Sequence, residues 1–97
     1  MIIVWGRVEA QPEHLQEVVR LGLEHVRRSR NEPGCLHHSA QLDVENSNAL
    51  VFYEQWQDME ALQVHFSVPE SGQFVAALTP LLGREPEMKI FEANQTR

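Results

Sequence analysis

One cysteine in 97 residues, Cys35, excludes an intramolecular disulfide and any fold that relies on being stapled in an oxidising compartment. The expected place for that thiol is the core. No basic cluster exceeds Arg27-Arg28-Ser29-Arg30, and 14 acidic residues against 8 Lys and Arg leave a net charge of -6. Nucleic acid and anionic membrane surfaces both select cationic faces, so neither is expected as a partner. The apolar opening Met1-Ile2-Ile3-Val4-Trp5 meets Arg7 and Glu9 at once, too short a run for a signal peptide or a membrane span, and the expected location is cytoplasmic. No Cys-x-x-Cys and no pair of histidines at i, i+4 marks a zinc site, and the sequence predicts no metal. A Gly-rich phosphate loop, a nucleophile elbow and a flavin or nicotinamide fingerprint are also missing, so no organic cofactor that leaves a sequence mark is expected.

What is present is enough Leu, Val, Ile and Phe, within 42% hydrophobic residues, for one small domain over residues 1–97. A domain of this size buries a modest fraction of its surface and often leans on a partner subunit. Residues 2–10 alternate as a strand, with Ile2, Val4, Gly6, Val8 and Ala10 on one side and Ile3, Trp5, Arg7 and Glu9 on the other. Pro12 and Glu13 suit a helix start, and Leu15, Val18, Val19, Gly22, Leu23 and Val26 follow on one helical face. On the opposite face Glu24 and Arg28 are spaced for an ion pair.

Pro33-Gly34 stops that helix, and Cys35 to Leu42 alternates again. Residues 43–48 are polar and of hairpin length, so a strand from Ala49 to Trp56 should return antiparallel. At Asp58, a good N-cap, the period changes from strand to helix, with Leu62 and Phe66 on the new face. Pro69 should break that helix, Ser71 is placed to cap a further piece, and Pro80 should kink or end it. Gly83 then terminates, and Glu87 to Ala93 closes the chain as a strand.

The order strand, helix, strand, strand, helix, strand is that of an α+β, ferredoxin-like βαββαβ fold, a four-stranded antiparallel sheet with its helices on one face. Trp5, Phe52, Trp56 and Phe91 cannot all share the helix side with Val4, Val8, Val51 and Ile90. An aromatic second face needs a cover, and a homodimer packing its two sheets together is the simplest one.

Three segments, Glu32-Pro33-Gly34-Cys35-Leu36, Tyr53-Glu54-Gln55-Trp56-Gln57-Asp58 and residues 61–69, resemble the antibiotic biosynthesis monooxygenase superfamily of small dimeric α/β barrels. The resemblance extends over nearly the whole chain in length and element order. It implies the dimeric barrel and a choice among known activities: cofactor-independent oxidation of quinol- or anthrone-like aromatics by dioxygen, haem degradation, and processing of a phosphorylated signalling metabolite. The haem-degrading branch uses an asparagine on the first strand with a tryptophan and a histidine. Trp56 and His65 match the latter two, but Gly6 lies near the place of the asparagine. Members also often carry a histidine shortly after the proline, where this chain has Glu70-Ser71-Gly72.

His65 is the candidate catalytic base, since an imidazole near its neutral-pH transition can take a proton from a phenol or enol. The plainer alternative is a histidine that fills the helix–sheet boundary. Trp56, Trp5 and Phe52 are candidate walls for an aromatic substrate, or else core and interface packing. Glu54 is either a cavity carboxylate or half of an ion pair with Arg7, and the pair is the expectation. His37 and His38 point to opposite sheet faces, so one alone, with His38 the candidate, lines the cavity. His14 and His25, about three turns apart on the first helix, are expected to be solvated. A monooxygenase acting on a small aromatic and dioxygen is therefore the leading expectation. An isomerase or degrading enzyme for a small signalling metabolite would gather Arg7, Glu54 and one of His37 or His38, and a non-catalytic binding dimer would have no cavity large enough for a ligand.

Overall fold

Period-two alternation in the first residues builds the centre of the sheet. Strand β1 (Ile2–Glu9) turns Ile2, Val4, Gly6 and Val8 inward and leaves the intervening side chains half-buried on its other side. The protein is described here by a computed structural model covering residues 1–97. A 3-10 turn, Pro12–His14, leads into helix α1 (Leu15–Ser29), whose buried stripe is Val18, Gly22, His25, Val26 and Ser29. Arg20 rather than Arg28 pairs with Glu24, and Arg28 reaches forward to Glu32 instead.

Gly34, at φ 81°, makes the left-handed turn into β2 (Cys35–Asp43). The hairpin to β3 (Asn46–Trp56) is tighter than expected. Asp43 pairs with Asn46, and the Asp43 and Asn46 side chains accept from the backbone N–H groups of Glu45 and Asn48. Asp58 caps helix α2 (Met59–Ser67) as expected, its carboxylate accepting from Ala61 N at 2.8 Å. Helix α3 (Pro69–Leu78) begins at once, divided from α2 by an extended Val68, because a residue before proline is pushed out of the helical region. Val68, not Ser71, holds the N-cap position of α3. Pro80 sits in a 3-10 turn, Thr79–Leu81, that ends the helical run, and β4 (Glu87–Glu92) completes the sheet.

Strand order is β2-β3-β1-β4, antiparallel throughout, with the helices on one face, which is the ferredoxin-like arrangement. The register divides these side chains between the two faces. Val4 lies opposite Glu54 and Ile90, and Gly6 opposite Phe52 and Met88, so Phe52 and Trp56 share the helix side with Val4, Val8 and Ile90. Trp5, Val51 and Phe91 lie on the other face, with Ile3 and Tyr53. The helices leave that face open. Phe91 is half exposed there, and the Lys89 ammonium sits 5.3 Å from the Trp5 ring centre. No helix is long and apolar enough to cross a membrane.

Under the helices the core is in two parts. Val8, Val18, Val26, Leu50, Phe52 and Leu78 form the larger, and Ile2, Val4, Trp56 and Leu62 the smaller. A seam of buried polar side chains, His25, His38, Glu54 and His65, lies among them.

Candidate active site

The seam follows from three local decisions in the sequence. Alternation on β3 sends Glu54 inward between Phe52 and Trp56, and cross-strand pairing places His38 of β2 directly opposite it. The Asp58 cap starts α2 so that His65, in its last turn, faces the sheet with Leu62, and the stripe of α1 adds His25 from above. The three imidazole rings have centroids 5.1, 5.4 and 5.9 Å apart.

His65 is the best anchored of them. Its Nδ1 lies 2.5 Å from Oε1 of Glu32, whose other oxygen accepts from Arg28 at 3.2 Å. With Nδ1–H donating to Glu32, Nε2 is the nitrogen left to accept a proton, and it lies 3.9 Å from Glu54 Oε1. The Trp56 ring packs against His65 with centroids 4.7 Å apart, and its indole N–H donates to Glu54 Oε1 at 2.8 Å. His25 stacks on Phe74 at 4.0 Å, and its Nδ1 accepts from Arg28 at 2.7 Å.

Burial dominates the proton affinities. It pushes His25 down to about 3, helped by repulsion from His65, His38 and Arg28, and pushes His38 to about 3 as well, helped by His65 and Arg30. Burial also raises the Glu54 carboxyl above the ordinary carboxylate range, against the pull of the Trp56 hydrogen bond and of His65. His38 is almost wholly buried and both of its ring nitrogens lack a hydrogen-bond partner, the nearer being 3.7 Å from Glu54 Oε2.

Beside the seam opens a cavity of about 330 Å³, a size that suits a small molecule. Glu54, His65 and His25 are its inner polar groups; Phe52, Phe66, Phe74, Val75, Leu78 and Met88 supply apolar walls, and Gly6 leaves the floor without a side chain. Among the expected residues, His65, Glu54 and Phe52 meet in this cavity. Trp56 stands behind it, fully buried, touching His65 and Glu54. His38 is behind it too, packed on Phe52, whereas His37 is exposed on the open face.

Trp5 is not a wall of this cavity, since the register turns it to the open face. The Glu54–Arg7 ion pair does not form either. Arg7 also borders the cavity, but its guanidinium lies within 4.0 Å of Glu9, Asp43 and Glu87. Glu54 is thus a cavity carboxyl without an arginine partner. His25, expected in solvent, is buried and lines the cavity. Glu32 was not singled out. No group of three or more His, Cys, Asp or Glu side chains is arranged so that it could hold a metal ion.

A model of the family described as antibiotic biosynthesis monooxygenase matches residues 1–77. The uncharacterized protein sll1783 of Synechocystis sp. is 32% identical over 96 residues, which are 99% of this chain. The chain spans 65% of the length of that relative. Among solved structures, a candidate antibiotic biosynthesis monooxygenase from Deinococcus radiodurans superposes with a TM-score of 0.95 at 24% identity, over 100% of this chain and 96% of the other. A conserved protein from Methanosarcina mazei Go1 gives 0.91 at 25% identity, over 96% and 92%.

Proposed function

The chain belongs to the antibiotic biosynthesis monooxygenase family, and from that premise we propose that it oxidises a small quinol- or anthrone-like aromatic with dioxygen, without a bound cofactor. The observation that carries this reading is the Glu32–His65 pair at 2.5 Å, which engages Nδ1 and leaves Nε2 of a cavity-lining imidazole as the nitrogen for a substrate proton. A base so held takes a proton from the phenol, or from the carbon flanked by aromatic rings. The resulting anion is electron-rich enough to pass an electron to dioxygen, and the two radicals combine.

Phe52, Phe66 and Phe74 supply aromatic surface for the substrate, and the largely apolar walls suit dioxygen and limit water. Trp56 acts from behind, holding Glu54 and bracing His65. The enzyme works as a homodimer in which the open sheet faces of Trp5, Tyr53 and Phe91 pack together into the α/β barrel.

Oxygen uptake with anthrone or a reduced naphthoquinone tests the reading. His65→Ala should lower turnover roughly 100-fold or more, the usual contribution of a general base. Unchanged turnover would remove His65 from the mechanism, and no enzyme-dependent uptake by the wild type with any such aromatic would remove the reaction.

A further inference from the structure

Resting on that reading, we propose that Glu54 is the general acid of the same reaction, the group that protonates the departing oxygen when the O–O bond of the substrate peroxide breaks. The oxidation of a CH2 carbon to a carbonyl by dioxygen needs two proton removals and two proton deliveries, one to the peroxide anion and one to the departing oxygen. His65 accounts for both removals and for the first delivery, which leaves the second without a donor. The carbon first gives a proton to His65 Nε2 and an electron to dioxygen; carbon radical and superoxide then form a C–O bond, and the peroxide anion takes the proton back from His65. His65 next removes the second proton from the same carbon. The C–H electron pair becomes the carbonyl π bond, and the O–O pair leaves with the outer oxygen.

That outer oxygen would leave as hydroxide into an apolar cavity, a costly ion to place there. A proton from Glu54 turns it into water, so that CH2 and O2 become C=O and H2O with no outside reductant. The step ends with His65 protonated and Glu54 ionised, 3.9 Å apart from Nε2 to Oε1, a gap that one small shift or one water closes to restore both groups.

Several observations single out Glu54. It lines the cavity with His65, 3.9 Å from Nε2, and only 5% of its surface is exposed. The groups facing it are the Trp56 indole on its own strand, His38 on β2 and His65 on α2, with the Glu32 carboxylate farther out. No arginine or lysine pairs with it, and Arg7 is on the other sheet face. The Trp56 N–H fixes Oε1 near His65 Nε2, while Oε2 faces His38 and has no hydrogen-bond donor. Burial favours the protonated carboxyl at rest, while a charged His65 lowers its proton affinity, so the acid is readiest to act when the base has done its work. The other cavity groups do not serve: His25 is tied to Arg28 through Nδ1, and Glu87 is half exposed beside Arg7.

The test is product analysis with anthrone and dioxygen in wild type, Glu54→Gln and Glu54→Asp. Glutamine keeps the bond from Trp56 and nearly the same volume but has no acidic proton. Anthraquinone formed per oxygen consumed should fall at least about tenfold in Glu54→Gln, with hydroperoxide accumulating in its place, and Glu54→Asp should recover part of the yield. A wild-type yield from Glu54→Gln would overturn the acid role alone. Loss of all oxygen uptake in Glu54→Gln would overturn it too, by placing Glu54 before the peroxide. Absence of uptake by the wild type would overturn the oxidation itself. Independently of turnover, the infrared carbonyl band of a protonated carboxyl should be present in the wild type at neutral pH and missing in Glu54→Gln; its absence from the wild type refutes a resting acid.

Discussion

Replacing His38 with leucine should make the protein more resistant to acid. In the fold its imidazole is almost wholly buried, both nitrogens lack partners, and its proton affinity is pushed from the ordinary 6.5 down to about 3. The unfolded chain therefore binds a proton at His38 between these values while the folded chain does not, so stability falls as pH falls through that window. Between pH 8 and pH 5 this one group accounts for about 2 kcal/mol of lost stability. Glu54 works in the opposite sense: its raised affinity stabilises the fold at low pH and that contribution fades as pH rises, but it is present in both proteins and largely cancels in the comparison. Removing an unpartnered buried polar ring also relieves a penalty of about 1–3 kcal/mol, so His38→Leu should be no less stable than wild type at pH 8. Urea unfolding at the two pH values, at one protein concentration and followed by the fluorescence of buried Trp56, measures both effects. If the variant lost as much stability as wild type between pH 8 and pH 5, His38 would not be a neutral buried histidine and the electrostatic account of the seam would fail.

Glu32→Gln should lower oxygenase turnover at least about tenfold and shift the His65 ring nitrogen signals in NMR away from the Nδ1–H tautomer; unchanged signals would dissolve the Glu32–His65 pair. Gly34→Ala should destabilise by about 3 kcal/mol in denaturant, since φ is 81° and a Cβ would stand 2.5 Å from that of Ala61 at the start of α2. Phe91→Asp, on the open sheet face, should convert a species of twice the 11.2 kDa chain mass into one of that mass by sedimentation equilibrium, and a wild type that already sediments at 11.2 kDa would refute the dimer.

Elements were legible in the sequence where one local rule decides. The alternation of β1, the Asp58 cap, the break at Pro69 and the end of the helical run near Pro80 are each set within a few residues. Faces were less legible, because a strand's period says which residues share a side but not which side meets the helices. Only register makes Phe52 and Trp56 neighbours of Val4 and leaves Trp5 outside. The missed site residues show two separate limits. His25 lies three residues after Gly22 and seven after Val18, on the apolar stripe itself, so treating it as solvated ignored a signal that was present. Glu32 meets His65 across 33 positions of sequence, and no periodicity relates them. Its segment shows only a helix stop.

The break between α2 and α3 does more than turn the chain. In an unbroken helix the carbonyl of His65 would accept from the N–H of residue 69, but residue 69 is proline and has none. The carbonyl is buried, so it needs another donor. Ser71 supplies it: two residues into α3, its hydroxyl donates to His65 O at 2.6 Å, and Arg28 approaches the same hydroxyl at 3.5 Å. His65 is thus held at both ends, ring nitrogen to Glu32 and backbone oxygen to Ser71, with Arg28 touching both supports. This explains why Ser71 is better used inside α3 than at its cap. Here the serine hydroxyl satisfies a buried carbonyl oxygen, and the Ser71 N–H at the start of α3 already donates to Val68 O. The proline that forces the break and the serine that repairs it therefore fix the position of the candidate base.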